Sequence, residues 1–258
     1  MHLTTTAARP APGSSPTRRA RPGRDVAAGV VPLAVVAAAT CWLLGLPTSH
    51  IALSGLLYAV MGALILRFLP PGQPGPGIGL ANRITLARST LALPIAALVF
   101  APDPLTARGA WWVIVLSTAA MILDGLDGYV ARRSGGLTAF GARFDMELDA
   151  LLLLAVSALL WRSGRVGSWV ILIGGLRYLF VLAGAVWPVL RGDLPYSRRR
   201  KVVCVIQGVA LLVCLGPIIP ADMAVRAAAL ALLALTYSFA VDVGWLVGRG
   251  PTARMETR

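Results

Sequence analysis

The chain reads as an all-α protein that crosses a membrane many times. Three observations predict this: 57% of its 258 residues are hydrophobic, its mean hydropathy is +0.75, and apolar runs of membrane-spanning length recur from end to end. A spanning helix needs about 20 predominantly apolar residues, and runs of that length leave no room for a large separate soluble domain. Eight hydrophobic segments are expected, at 26–46, 51–68, 84–101, 110–132, 141–161, 166–190, 200–218 and 223–248.

Each element follows from local composition. Residues 1–25 are rich in Pro, Ser, Thr and Arg without apolar periodicity, which predicts a disordered basic tail on the cytoplasmic side. The apolar run from Val26 could mimic a secretory signal, but it is long and a second run follows directly, so it reads as a retained anchor. Together the two runs predict a transmembrane hairpin over 26–68. A Pro- and Gly-rich linker, 69–80, breaks the chain there. Six more hydrophobic segments fill 81–248, and 249–258 is a short cytoplasmic tail.

Charge placement fixes an orientation. With the amino terminus inside, eighteen basic residues fall in cytoplasmic segments, and only Arg108, Arg162, Arg165 and Arg226 face the other side. The net charge of +13 is therefore chiefly a topology signal and a means of holding anionic lipid headgroups. The basic residues are scattered over loops rather than gathered on one face, which argues against nucleic acid as a partner. Cys41, Cys204 and Cys214 lie in apolar segments without metal-ligand spacing and read as buried thiols.

Five of the eleven acidic residues lie between Asp124 and Asp149. An unpaired carboxylate in an apolar segment costs about 2.5–3.5 kcal/mol on insertion, so such a cluster needs a compensating partner. Asp124 and Asp127 are three apart, Asp145 and Asp149 four apart, and each pair projects from one face of a helix. If the two helices are antiparallel neighbours, the four Asp residues face one another and can hold divalent cations through oxygen ligands. Glu147 points to roughly the opposite side of its helix and is left out. Gly128, Ala131 and Gly141 keep the facing surfaces low, allowing a helix backbone or a bulky ligand to approach closely. Arg132 adds a forked cation suited to a diphosphate. Taken singly, these small residues also suit plain helix packing, and Arg132 an ordinary flanking charge.

The whole pattern, D-x-x-D-G-x-x-A-R, eight residues, then G-x-x-x-D-x-x-x-D, resembles the signature of the CDP-alcohol phosphotransferases and matches it at every fixed position. The resemblance covers roughly residues 80–248 and leaves the hairpin outside. It implies a six-helix membrane enzyme that transfers a phosphatidyl group from a CDP-linked lipid, usually CDP-diacylglycerol, to an alcohol and releases CMP. It further implies two divalent cations, Mg2+ or Mn2+, held by Asp124, Asp127, Asp145 and Asp149, with Asp149 as catalytic base, and Gly128 and Arg132 near the nucleotide. A homodimer in the plasma membrane, with its active site at the cytoplasmic face, completes what it implies. The acid pairs fall at one depth near that face, where a nucleotide arrives from water while its acyl chains stay in lipid.

Other positions extend the candidate site. Asn82, Thr85 and Arg88 share an N-x-x-T-x-x-R spacing similar to the start of many family members and are expected to contact nucleotide or phosphate; a helix cap with a snorkelling Arg is the alternative. Arg177, a charge inside an apolar segment, is expected to line the acceptor pocket. Within the basic run 198–201, Arg198 and Lys201 are expected to favour a phosphorylated acceptor, glycerol 3-phosphate or inositol phosphate, although a topology anchor explains the run as well. Two other classes compete. A cation or proton transporter needs acids spread across the bilayer, and a membrane prenyl transferase acting on diphosphates accounts for the Gly and Arg positions less well.

Overall fold

The computed structural model describes residues 22–70, 77–103, 105–134, 138–192 and 197–248, with the backbone alone over 127–134. Both tails beyond these limits and part of the linker lie outside the described residues. The described chain is helical without strands: α1 (Pro22–Ala28), α2 (Val30–Leu44), α3 (Ser49–Phe68), α4 (Leu80–Leu98), α5 (Ala107–Ser134), α6 (Ala139–Arg162), α7 (Ile171–Val186), α8 (Arg198–Leu215) and α9 (Ala221–Gly248). Short 3-10 turns at Ser168–Val170 and Pro188–Arg191 flank α7. All eight hydrophobic segments therefore hold helix. The first helix begins at Pro22, four residues before the expected start, with a proline in its first turn and Asp25 beside its positive N-terminal end.

Among the described residues, five helical spans are long and apolar enough to cross a membrane: Pro22–Leu44, Ser49–Phe68, Ala107–Leu126, Ser168–Val186 and Ala221–Gly248. Their outer faces carry Trp42, Val60, Val115, Leu182 and Leu233, large apolar side chains left exposed by the protein and suited to lipid contact. The remaining three, α4, α6 and α8, carry Arg88, the Asp145–Asp149 acids and the 198–201 basic run. Thirteen of the nineteen residues of α4 are buried, so this helix is the inner post of the bundle and lipid contact falls to its neighbours α2, α3 and α5. The protein is an all-α polytopic membrane protein.

Two arginines show how the helices run. Arg162, at the end of α6, donates to the carbonyls of Val99 and Ala101 just past the end of α4. Arg165 donates from Nε to Cys214 O (3.2 Å) and from Nη2 to Gly216 O (3.1 Å) at the end of α8. The last carbonyls of a helix lack intrahelical partners and form its negative end, so a guanidinium there is favourable. The carboxyl ends of α4, α6 and α8 therefore lie together, as an alternating in-and-out topology requires. Arg162 and Arg165 are two of the four basic residues that the charge count leaves on the far side, and their capping role explains why they are there.

The hairpin docks on the core through polar contacts at the other end. Asp25 pairs with Arg83 (2.9 Å), and its second oxygen accepts from Ile78 N (2.9 Å) at the approach to α4. Tyr58 crosses from α3 to donate to Val26 O (2.7 Å), lying against Gly29, where a Cβ would fall 1.9 Å from the Tyr58 hydroxyl. Nearer the carboxyl end of α4, Trp112 of α5 donates to Thr40 of α2 (3.0 Å). Leu33, Tyr58, Ile65, Ile78, Leu86 and Leu93 close a small core between hairpin and α4. A larger core joins α4, α5 and α6 to α8 and α9.

Candidate active site

Three helices supply the site. Asp124 lies on α5, and Asp145 and Asp149 lie one turn apart on α6. The N-cap of α6 is Thr138, whose hydroxyl accepts from Gly141 N (3.0 Å), so the helix is anchored just before the acids. Ligand oxygens of Asp124, Asp145 and Asp149 lie within 4.8 Å of one another. The three positions stand roughly 9–15 Å of helix rise from the ends of α5 and α6 that carry Arg132, Arg133 and Arg143. The convergence expected from sequence is present for these three. The side chains of Asp127, Gly128, Ala131 and Arg132 lie outside the described residues.

Arg88 lies among the acids. Its Nη1 is 2.9 Å from Asp124 Oδ1 and also donates to Asp145 Oδ1, while Nη2 donates to Asp149 Oδ1. The Arg88 side chain is 2% exposed, whereas the three carboxylates are 30–34% exposed. The guanidinium thus forms the floor of the cluster, and the carboxylates line its open side. Sequence spacing left two readings for Arg88, contact with nucleotide or phosphate and a snorkelling side chain. A side chain this buried does not snorkel, and its two terminal nitrogens between them reach all three acids.

The other α4 candidates are buried but engaged locally. Asn82 donates to Ile78 O (2.7 Å) and Thr85 to Ala81 O (3.3 Å). Asn82 also faces Gly141: a Cβ built on that glycine would lie 2.5 Å from Asn82 Oδ1. Gly141 therefore permits the close approach of α6 to α4 that brings the acids over Arg88.

Arg177 pairs with Glu147 and donates to Met146 Sδ (2.7 Å). Its partner is the acid that helical geometry sets on the far side of α6 from Asp145. The basic run divides in two. Arg199 donates to Ser238 Oγ (2.6 Å) and pairs with Asp242, while Arg200 lies 3.8 Å from the same carboxylate. Arg198 and Lys201 point outward and are exposed, sharing one face of the first turn of α8. Sequence reasoning missed Asp242, Glu147 and Asp25 as partners. The signal for Asp242 was present, since it too is an acid inside an apolar run.

The sequence pattern of the CDP-alcohol phosphatidyltransferases matches residues 78–241, about two thirds of the chain, and takes in Arg88, Asp124, Asp145 and Asp149. The chain belongs to the CDP-alcohol phosphatidyltransferase family. The transferase is 31% identical over 142 residues to the CDP-diacylglycerol-glycerol-3-phosphate 3-phosphatidyltransferase of Rickettsia typhi, a match covering 51% of this chain and 73% of the relative. It is 31% identical over 163 residues to the probable phosphatidylglycerophosphate synthase of Mycobacterium tuberculosis (strain H37Rv), covering 61% and 77%. No solved structure matches the transferase. It is an enzyme of phospholipid synthesis that transfers substituted phosphate groups. The matched region begins after the hairpin.

Proposed function

We propose that the transferase moves the phosphatidyl group of CDP-diacylglycerol to glycerol 3-phosphate, releasing CMP, at the cytoplasmic face of the cell membrane. The convergence of Asp124, Asp145 and Asp149 from two helices onto a shared point carries this reading. The names of the two relatives support the same acceptor: the Rickettsia typhi enzyme is named for glycerol 3-phosphate, and the mycobacterial one for phosphatidylglycerophosphate.

The donor set fits a divalent cation. Carboxylate oxygens are hard ligands, and three within 4.8 Å match the oxygen coordination of Mg2+ or Mn2+. Asp124, Asp145 and Asp149 would hold it, with Asp127, one turn along α5 from Asp124, as the fourth ligand of a two-cation site. Bound there, divalent cations neutralise charge on the donor diphosphate and on the departing CMP. The protein's own part is alignment. Arg132 and Gly128 are assigned to the diphosphate from their place in the motif, and Arg198 and Lys201 form an exposed cationic pair for the acceptor phosphate. Asp149 accepts the proton of the attacking hydroxyl. The acceptor oxygen bonds to the lipid-bearing phosphorus as the bond from that phosphorus to the CMP oxygen breaks, and CMP leaves with its own phosphate.

The test is an acceptor panel. Purified protein with CDP-diacylglycerol and Mg2+ is expected to liberate CMP with glycerol 3-phosphate at least tenfold faster than with glycerol, inositol or serine. Equal rates with unphosphorylated glycerol would contradict the acceptor assignment, and Arg198→Ala with Lys201→Ala is expected to raise KM for glycerol 3-phosphate more than it lowers kcat.

A further inference from the structure

We propose that Arg88 is a resident counter-ion that competes with the divalent cation for Asp124, Asp145 and Asp149, holding the cation affinity of the free enzyme down. This deepens the proposed reading and rests on the acids being a cation site. Three carboxylates gathered within 4.8 Å repel one another unless positive charge stands among them. Arg88 supplies it from within the fold: one guanidinium reaches an oxygen of each acid, and its side chain is almost wholly buried. Guanidinium charge is permanent, so the arrangement persists across the physiological pH range.

Two consequences separate this role from a structural one. The acid cluster can fold without bound metal, because Arg88 already offsets part of its charge. A divalent cation binding the same oxygens must weaken the Arg88 contacts and bear the repulsion of a neighbouring positive charge. A buried arginine that merely shaped the site would do the opposite: its removal would let the carboxylates spread and weaken cation binding. The geometry favours competition, because the donors of Arg88 terminate on the carboxylate oxygens themselves rather than on groups behind them. Weak intrinsic affinity suits an enzyme whose cation arrives with, or is tightened by, a diphosphate that adds negative charge to the site. With the diphosphate present, the guanidinium fork has a second anion to pair with.

Mn2+ binding to the full-length protein in nanodiscs, measured by loss of the free-ion electron paramagnetic resonance signal without substrate, tests this. Wild type is expected to bind weakly, and Asp145→Asn to bind less still. Arg88→Gln is expected to bind Mn2+ at least tenfold more tightly than wild type, to melt at a lower temperature in chelator, and to gain more thermal stability from Mn2+ than wild type gains. Arg88→Lys, a smaller disturbance to folding, is expected to fall between the two in affinity. If Arg88→Gln and Arg88→Lys bind Mn2+ no more tightly than wild type while Asp145→Asn still abolishes binding, the competition is overturned and the cation site stands. If wild type and Asp145→Asn bind Mn2+ alike, the cation site itself fails, and this proposal with it.

Discussion

Asp149→Asn is expected to lower turnover by about 10²–10⁴-fold, the range typical of losing a positioned general base, while CDP-lipid binding is largely retained. Asn keeps the shape and one oxygen of the side chain, so contacts of Asp149 with Arg88 and its ligand capacity survive in part. What is lost is the capacity to accept a proton from the acceptor hydroxyl. Among the described residues the one histidine, His50, lies in α3 at the outer end of the hairpin, so it does not stand in for the carboxylate. Kinetics should therefore show a fall in kcat with KM for the CDP-lipid nearly unchanged. Full transferase activity of the variant with the correct acceptor would refute the base assignment.

Gly174→Ala is expected to be the most destabilising single-methyl change in the bundle. A Cβ at Gly174 would lie 2.3 Å from Leu154 Cα and 2.4 Å from Leu154 N, backbone atoms that cannot rotate aside. The helices α6 and α7 must separate to admit it, and overpacking of this kind costs about 1–3 kcal/mol or more. Asp145 and Asp149 ride on the same α6, so their alignment over Arg88 should loosen as well. The adjacent Gly175 meets nothing within 4 Å, which makes Gly175→Ala the control, neutral or slightly stabilising through helix propensity. Thermal unfolding in detergent checks both. Equal melting temperatures for the two variants would mean that α6 and α7 do not touch backbone to backbone at Gly174.

The helices were legible because long apolar runs admit few other structures in a bilayer, where every backbone group must find its partner within the segment. Spacing likewise announced that Asp145 and Asp149 share a face, and that Asp124 belongs with them. Spacing does not say which neighbouring helix a face meets. Arg88 was placed in the site from its spacing, but only the packing of α4 between the hairpin and α6 turns it onto the acids rather than outward. The same limit hid the pairing of Arg177 with Glu147, which joins α7 to α6, and of Arg199 with Asp242, which joins α8 to α9. Both are long-range ion pairs in which one partner looks isolated when read along the chain. Asp25 was read as the end of a disordered tail because its partner, Arg83, lies across the Pro- and Gly-rich linker.

The most direct test of the account is a phosphorus NMR time course of purified protein with CDP-diacylglycerol and glycerol 3-phosphate, run with Mg2+ and again with excess chelator. With Mg2+, the diphosphate signals should decay as CMP and a new phosphodiester appear in equal amounts; chelator or Asp145→Asn should stop all three changes. Diphosphate that persists beside active controls, or conversion that proceeds equally in chelator, would contradict the claim that these aspartates gather a cation to hand a CDP-activated lipid to its acceptor.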